Sequence, residues 1–301
     1  MKQKITPNLW FDGNAKEAVD FYVSVFPDSR IVATANYPNS AEEGLADFQK
    51  DLAGKVLTVE FEVGGMRFTA INAGPEFKFN PSISFLLNFD PASDKQARER
   101  LDELWGKLLE GGEVMMELGE YPHSKRYGWL KDRYGLTWQF MLTNPEGEPR
   151  PFVIPCLMFA GKAMGRAEEA MKYYVSAFEN AKAGSALMRY PEDMNGAKKG
   201  TLMFGEFVVG DEWFGVMDAG TAQSFTFNEA VSLSVSCKDQ PEIDDFWKKL
   251  SSVPASEQCG WCKDKYGVSW QVVPSNMEEL MKRPGAFAKL MQMKKLVIAD
   301  F

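Results

Sequence analysis

The sequence predicts an α+β protein made by tandem duplication, each copy holding two βαβββ units. Two observations carry this: four segments that recur in the same order, and a hydrophobic period that alternates between strand and helix values within each copy. Residues 128–139 (GWLKDRYGLTWQ) return as 260–271 (GWCKDKYGVSWQ), and residues 9–11 and 17–26 return as 157–159 and 169–178. Phe61-Glu62-Val63-Gly64 matches Phe207-Val208-Val209-Gly210, and Phe77-Lys78-Phe79-Asn80 matches Phe225-Thr226-Phe227-Asn228. The offsets drift between the matches, so the copies differ by short insertions and deletions of the kind loops tolerate. Residues 144–151, rich in Pro, Gly and charge, read as a linker between a first domain, 1–143, and a second, 152–275. Residues 276–301 form a helical tail, broken at Pro284-Gly285, that should pack across the copies.

In the first copy Leu9-Trp10-Phe11 is a strand, closed by Asp12-Gly13-Asn14, a turn with helix-capping chemistry. Ala15, Ala18, Val19, Tyr22 and Val23 follow at helical spacing until Pro27-Asp28 stops them. Strands at 30–37, 56–63 and 67–72 complete the unit, with Gly64-Gly65 as the hairpin turn between the last two. The second unit opens with a strand at 82–89 and continues through an amphipathic helix at 95–109. It ends in a hairpin at 127–131 and 136–142.

Composition bounds the function. In 301 residues, 45% are hydrophobic, 25% charged and 13% aromatic, which is too apolar for disorder. A net charge of −8 disfavours partners such as nucleic acid or an anionic membrane. The start lacks the apolar core of a signal peptide and no stretch approaches a membrane span, so the expected address is cytoplasmic. Four cysteines suit a reducing compartment better than a disulfide framework. The single histidine, His123, excludes any site that needs two imidazoles from one chain.

The opening FDGNAKEAVDFY and the repeated ending GWxKDxYGxxWQ resemble the vicinal oxygen chelate superfamily of glyoxalases, bleomycin-resistance proteins and extradiol dioxygenases. Within it the chain is most similar to the PhnB-like branch, often labelled 3-demethylubiquinone-9 3-methyltransferase. The resemblance covers nearly the whole chain and implies paired βαβββ units curling a mixed sheet around one cavity per copy. The two copies should pack on each other as an intrachain pseudo-dimer, which removes the need for a homodimer without excluding one. The superfamily's metal ligands would fall at Pro7 and Asn8, Ser82 and Ser84, and Gln139 in the first copy. In the second they would fall at Pro155 and Cys156, Ala230 and Ser232, and Gln271. These positions lack the imidazole and carboxylate that first-row catalytic metals want, so neither metal nor cofactor is expected.

Other motifs are weighed against structural roles. Cys259-Gly260-Trp261-Cys262 has metal or redox spacing, but the first copy has Tyr127 and Leu130 at those places, so the cysteines read as core. His123 reads as an exposed loop residue. Lys131-Asp132 and Lys263-Asp264 read as exposed turn charges rather than a catalytic dyad. On the last strand Leu136, Trp138 and Phe140 should face the helices, leaving Thr137 and Gln139, with Ser269 and Gln271, to line the cavity, or Gln139 to satisfy a buried backbone group instead. Phe77 with Phe79, and Phe225 with Phe227, put two rings on one face in each copy, as cavity mouth or as core. With Trp10, Trp129 and Trp261 these are the ligand-binding candidates. The expected function is metal-independent binding of a small hydrophobic or aromatic molecule. The alternatives are a metal-dependent lyase or dioxygenase, the methyltransferase of the label, or a regulatory or scaffolding module with no small ligand. For the methyltransferase, no Gly-rich turn leads from a strand into a helix as a Rossmann-type methyl-donor site requires.

Overall fold

A computed structural model describes residues 3–301. The first copy runs β1 (Ile5–Phe11), α1 (Ala15–Val25), β2 (Ser29–Asn36), β3 (Val56–Val63), β4 (Met66–Asn72), β5 (Ile83–Phe89), α2 (Ala97–Leu109), β6 (Glu113–Tyr121), β7 (Ser124–Lys131) and β8 (Thr137–Leu142). The second runs β9 (Val153–Phe159), α3 (Ala167–Ala177), β10 (Ala181–Arg189), β11 (Leu202–Val209), β12 (Glu212–Asp218), β13 (Val231–Cys237), α4 (Gln240–Leu250), β14 (Trp261–Lys263) and β15 (Ser269–Pro274). The tail adds α5 (Met277–Met281) and α6 (Ala286–Gln292), parted at Gly285 with φ 72°. The strand β6, absent from the expected second unit although its residues alternate between exposed and half-buried, has no counterpart in the last unit, which is one strand short. Among the described residues no helix is long and apolar enough to cross a membrane.

The strands form two mixed sheets, and each sheet draws on both copies. The seven-stranded sheet has the order β14-β15-β13-β1-β4-β3-β2, and the eight-stranded sheet β10-β11-β12-β9-β5-β8-β7-β6. The first unit of one copy is thus continuous with the second unit of the other. The seams are antiparallel: Ile5 to Leu9 pair with Val235 to Val231, and Ile83 to Leu87 pair with Leu157 to Val153. The outer face of each sheet, where a cavity is expected, is therefore shared by the two copies rather than built from one. Sequence matching fixes which segments are equivalent, but it leaves open whether β5 lies beside β1 or beside β9.

The helix-bearing faces of the two sheets meet in one core. Helix α1 buries Ala15, Ala18, Val19 and Tyr22, the set its spacing predicts. Phe68 of the seven-stranded sheet meets Phe85 of the eight-stranded one edge-on at 5.0 Å. Tyr22 and Tyr174 reach Trp138 and Trp270 across the same boundary, each at 5.6 Å. Helix capping comes from a distance rather than from the predicted turn, because Asn14 makes no side-chain cap. Asn72 Oδ1, at the end of β4, accepts from Ala15 N at 2.9 Å, and Asp218 Oδ1 does the same for Ala167 N at 3.1 Å. Each cap therefore ties a helix start to the strand it packs on.

Asp132 and Asp264 are not exposed turn charges, and this corrects the sequence reading. Their residues are 2% and 1% exposed. Asp132 accepts from Tyr22 Oη and Trp138 Nε1, both at 2.8 Å, and from the amides of Tyr134 and Leu136. Asp264 repeats the set with Tyr174, Trp270, Tyr266 and Val268. Burial pushes both carboxyls above their usual range, and the donors pull back. The repeated motif is thus a hub joining the last hairpin to the first helix of the same copy. Lys131 points away to Glu113 and Lys263 to Glu229.

The cysteine pair also divides. Cys262 lies in the core, whereas Cys259 is half-buried with Sγ 3.8 Å from Met291 Sδ. Burial pushes the Cys156 and Cys237 thiols up to about 12 and Cys262 higher still, which lowers their thiolate fraction near neutrality. An aromatic disulfide reagent at pH 8 should therefore label native protein slowly and at Cys259 first, with all four thiols reacting in denaturant. Two or more fast thiols in the native protein would contradict this packing.

Candidate ligand-binding faces

The faces turned away from the helices are the candidate sites, and strand alternation assigns their residues. On the eight-stranded sheet the register lines up Ile154, Leu86, Gln139, Trp129 and Met116 across five strands. The neighbouring row holds Ser84, Cys156, Gly215 and Glu206. Apolar side chains fill the rest of this face. Leu86, Tyr127, Ile154 and Cys156 form one buried cluster with Met141, Phe204 and Trp213 against it, and Trp129 and Met158 form another with Met164, Met217 and Phe225.

Polar groups on this floor are few and mostly tied. Tyr127 Oη donates to Gln139 Oε1 at 2.7 Å, and Gln139 Nε2 donates to Ser84 Oγ at 2.8 Å. Three are left over, buried without a hydrogen-bond partner: Asn88 Oδ1 at the linker end of the floor, and Trp129 Nε1 and Thr137 Oγ1 on the neighbouring strands. An unmet buried donor costs about 1–3 kcal/mol, so a pair on adjacent strands of one floor calls for an explanation. One buried ion pair also reaches this face. Glu206, 2% exposed, is met by Arg150 of the linker through Nε at 2.7 Å and Nη2 at 2.8 Å. The guanidinium carbon also lies 5.2 Å from the centre of the Trp213 ring.

The seven-stranded face follows the same plan with different chemistry. Its matching row is Thr6, Ser234, Gln271 and Trp261, where the other sheet has Ile154, Leu86, Gln139 and Trp129. Asn8, Thr69 and Glu60 stand where the other sheet has Cys156, Gly215 and Glu206. Gln271 Nε2 donates to Ser232 Oγ at 3.0 Å, repeating the Gln139 to Ser84 bond, but Tyr127 has no equivalent because Cys259 occupies its place. Ser269 is buried beside Lys263 in the register. Trp10 donates to Gly74 O at 2.7 Å and meets Phe77 at 5.0 Å and Trp261 at 5.9 Å, both edge-on.

The structure separates the paired rings that alternation placed together. Phe77 packs on Trp10 at the concave side, while Phe79 packs on Phe11 at 5.2 Å, in the core. Phe225 joins Trp129 and Met158, while Phe227 meets Phe159 at 5.0 Å. Both segments are irregular rather than strands, so a period of two does not apply to them. His123 is exposed at the β6–β7 turn, with its ring 4.7 Å from that of Tyr127.

The positions matching the superfamily's metal ligands are also regrouped across copies. Asn8 joins Ser232 and Gln271 on one sheet, and Cys156 joins Ser84 and Gln139 on the other. Neither set suits a first-row catalytic metal: one offers only neutral amide and hydroxyl groups, and the other adds a thiol that burial keeps protonated. Among the described residues no three His, Cys, Asp or Glu side chains cluster as metal ligands would. Gly64-Gly65 joins β3 to β4, a strand-to-strand turn.

Comparison with known proteins agrees with this architecture. The profile of the family described as 3-demethylubiquinone-9 3-methyltransferase matches residues 3–141 and again 151–273. The PhnB protein of Bacillus cereus, assigned in name to the same methyltransferase, is 36% identical over 47% of this chain and 100% of its own, with a TM-score of 0.39. Glyoxalase I from Zea mays is 11% identical over 91% of this chain and 95% of its own, with a TM-score of 0.53, a likeness of fold. A search of curated proteins finds no match. Two tandem matches to one family profile show that the chain belongs to the 3-demethylubiquinone-9 3-methyltransferase family, as a tandem duplicate, with a two-sheet fold like that of glyoxalase I.

Proposed function

We propose that the protein binds a small, flat, largely apolar molecule carrying one polar oxygen on the concave face of the eight-stranded sheet, without a metal. The observation that carries this is the pair of unpartnered buried groups, Trp129 Nε1 and Thr137 Oγ1, set in a floor of Met and aromatic side chains. Methionine adapts its shape to a ring, and the indole N–H and the threonine hydroxyl both suit a phenol or carbonyl oxygen. Gln139 orients that oxygen from the middle of the row. No group here is poised as a strong acid or base: burial holds the Tyr127 hydroxyl and the Cys156 thiol in their neutral forms. The chemistry supports recognition.

Fluorescence titration of chelator-treated protein with 2-naphthol tests this. Saturable binding is expected without added metal. Trp129→Phe, which keeps a ring but removes the N–H, should weaken it roughly 3- to 10-fold, the worth of one hydrogen bond. Gln271→Leu on the other sheet should leave it unchanged. Binding that appears only after zinc, nickel or iron is restored would overturn the metal-free reading.

A further inference from the structure

The divergence between the two floors points to a second site with a different ligand. We propose that the seven-stranded face binds a molecule of the nucleoside monophosphate type, with a ring, a hydroxylated middle and an anionic end. The argument rests on a strip two strands wide, where β1 and β4 lie parallel and in register. Along β1 the exposed-side residues are Trp10, Asn8 and Thr6; along β4 they are Ile71, Thr69 and Arg67. From Trp10 to Thr6 the strip extends about 13 Å at the usual rise per residue, the scale of a nucleotide rather than of a single ring.

Chemistry changes along that length in one direction. At one end Trp10, held by its bond to Gly74 O, forms an edge-on aromatic group with Phe77 and Trp261 that suits a flat base. In the middle Asn8 pairs with Thr69, and Thr69 pairs with Glu60 across to β3. A carboxylate beside hydroxyl and amide groups is the arrangement that takes vicinal sugar hydroxyls. At the far end is Arg67, half-buried. Its side chain makes no ion pair or hydrogen bond among the described residues, and its cross-strand neighbour Glu62 is engaged by Arg30 at 3.0 Å. A planar guanidinium left without a carboxylate is a ready phosphate anchor.

The fold does not require this polarity. At the equivalent places the other sheet carries Trp213 for Arg67, Gly215 for Thr69, Cys156 for Asn8 and Met158 for Trp10; it keeps a carboxylate, Glu206 for Glu60, but there Arg150 occupies it, and the rest of that floor is largely apolar. The seven-stranded face also has a wall the other lacks. Helix α6 touches both edges of the curled sheet, with Phe287 6.3 Å from Tyr37 beyond β2 and Met291 against Cys259 before β14.

Calorimetry of the full chain with adenosine 5′-monophosphate and with adenosine tests the proposal. The monophosphate should bind about tenfold more tightly than the nucleoside, the worth of a charge-assisted contact. Arg67→Gln should bring the monophosphate down to the level of adenosine while leaving adenosine unchanged, and Glu60→Gln should weaken both. Thermal unfolding of each variant checks that the fold is kept, and Trp129→Phe should leave both affinities as they were, which separates this site from the one on the eight-stranded sheet. No binding of either compound at millimolar concentration, equal affinity for the two, or a monophosphate affinity indifferent to Arg67→Gln would overturn it.

Discussion

Replacing Asp132 with alanine is expected to destabilise the protein by about 4 kcal/mol, read as a fall in the urea midpoint with little change in slope. The residue is buried and accepts four hydrogen bonds, from Tyr22, Trp138 and the amides of Tyr134 and Leu136. Alanine strands all four donors, and each buried donor without a partner costs about 1–3 kcal/mol before water or relaxation recovers part of it. Asp132→Asn should cost less, since one oxygen remains to accept, although the new amide hydrogens face donors. Asp264→Ala should match Asp132→Ala, because its partners are the same residue types at nearly the same distances. Lys131→Ala is the control: its ion pair with Glu113 is exposed, and the expected loss is within about 0.5 kcal/mol. If Asp132→Ala proves as mild as the control, the hub is not holding helix to hairpin.

Arg150→Ala should cost roughly 3–5 kcal/mol, the usual penalty for leaving a buried charge without its partner. Glu206 is 2% exposed, faces the apolar floor beside Gly215, and is met by two guanidinium nitrogens. The pair itself need not stabilise the fold, because desolvation offsets most of its attraction. The double change Arg150→Met with Glu206→Leu should therefore recover most of the loss, whereas two independent defects would add. This pair is also where the linker enters the structure: Arg150 donates to Glu148 O and reaches Ser185. A linker that ran free between two domains would make Arg150→Ala nearly silent.

The elements of the fold were legible because alternation and helical spacing survive in both copies. Tyr22 and Trp138 read correctly as core, and Gly64-Gly65 as a hairpin. What the sequence could not supply is how units pair, since a seam such as Ser84 beside Cys156 joins residues of different copies and leaves no local trace. Asp132 misled for another reason: a Lys-Asp pair before a glycine turn has the chemistry of an exposed turn, and only Tyr22 and Trp138 arriving from elsewhere reveal a buried one. Phe77 and Phe79 lie in an irregular segment, where the period of a strand does not assign faces. The contrast between the floors was within reach. Thr6 against Ile154, Arg67 against Trp213 and Thr69 against Gly215 follow from the same matches that revealed the duplication, once each position is assigned its face.

The account turns on the eight-stranded floor being the place where a small aromatic molecule binds without metal. Its methionines offer a direct readout, since Met116, Met141, Met158 and Met217 lie against that floor while Met277, Met281, Met291 and Met293 belong to the tail. Methyl-labelled methionine spectra of chelator-treated protein, recorded as 2-naphthol is added, should show ring-current shifts in the first four and none in the last four. No shifts, or shifts confined to the tail methionines, would contradict it.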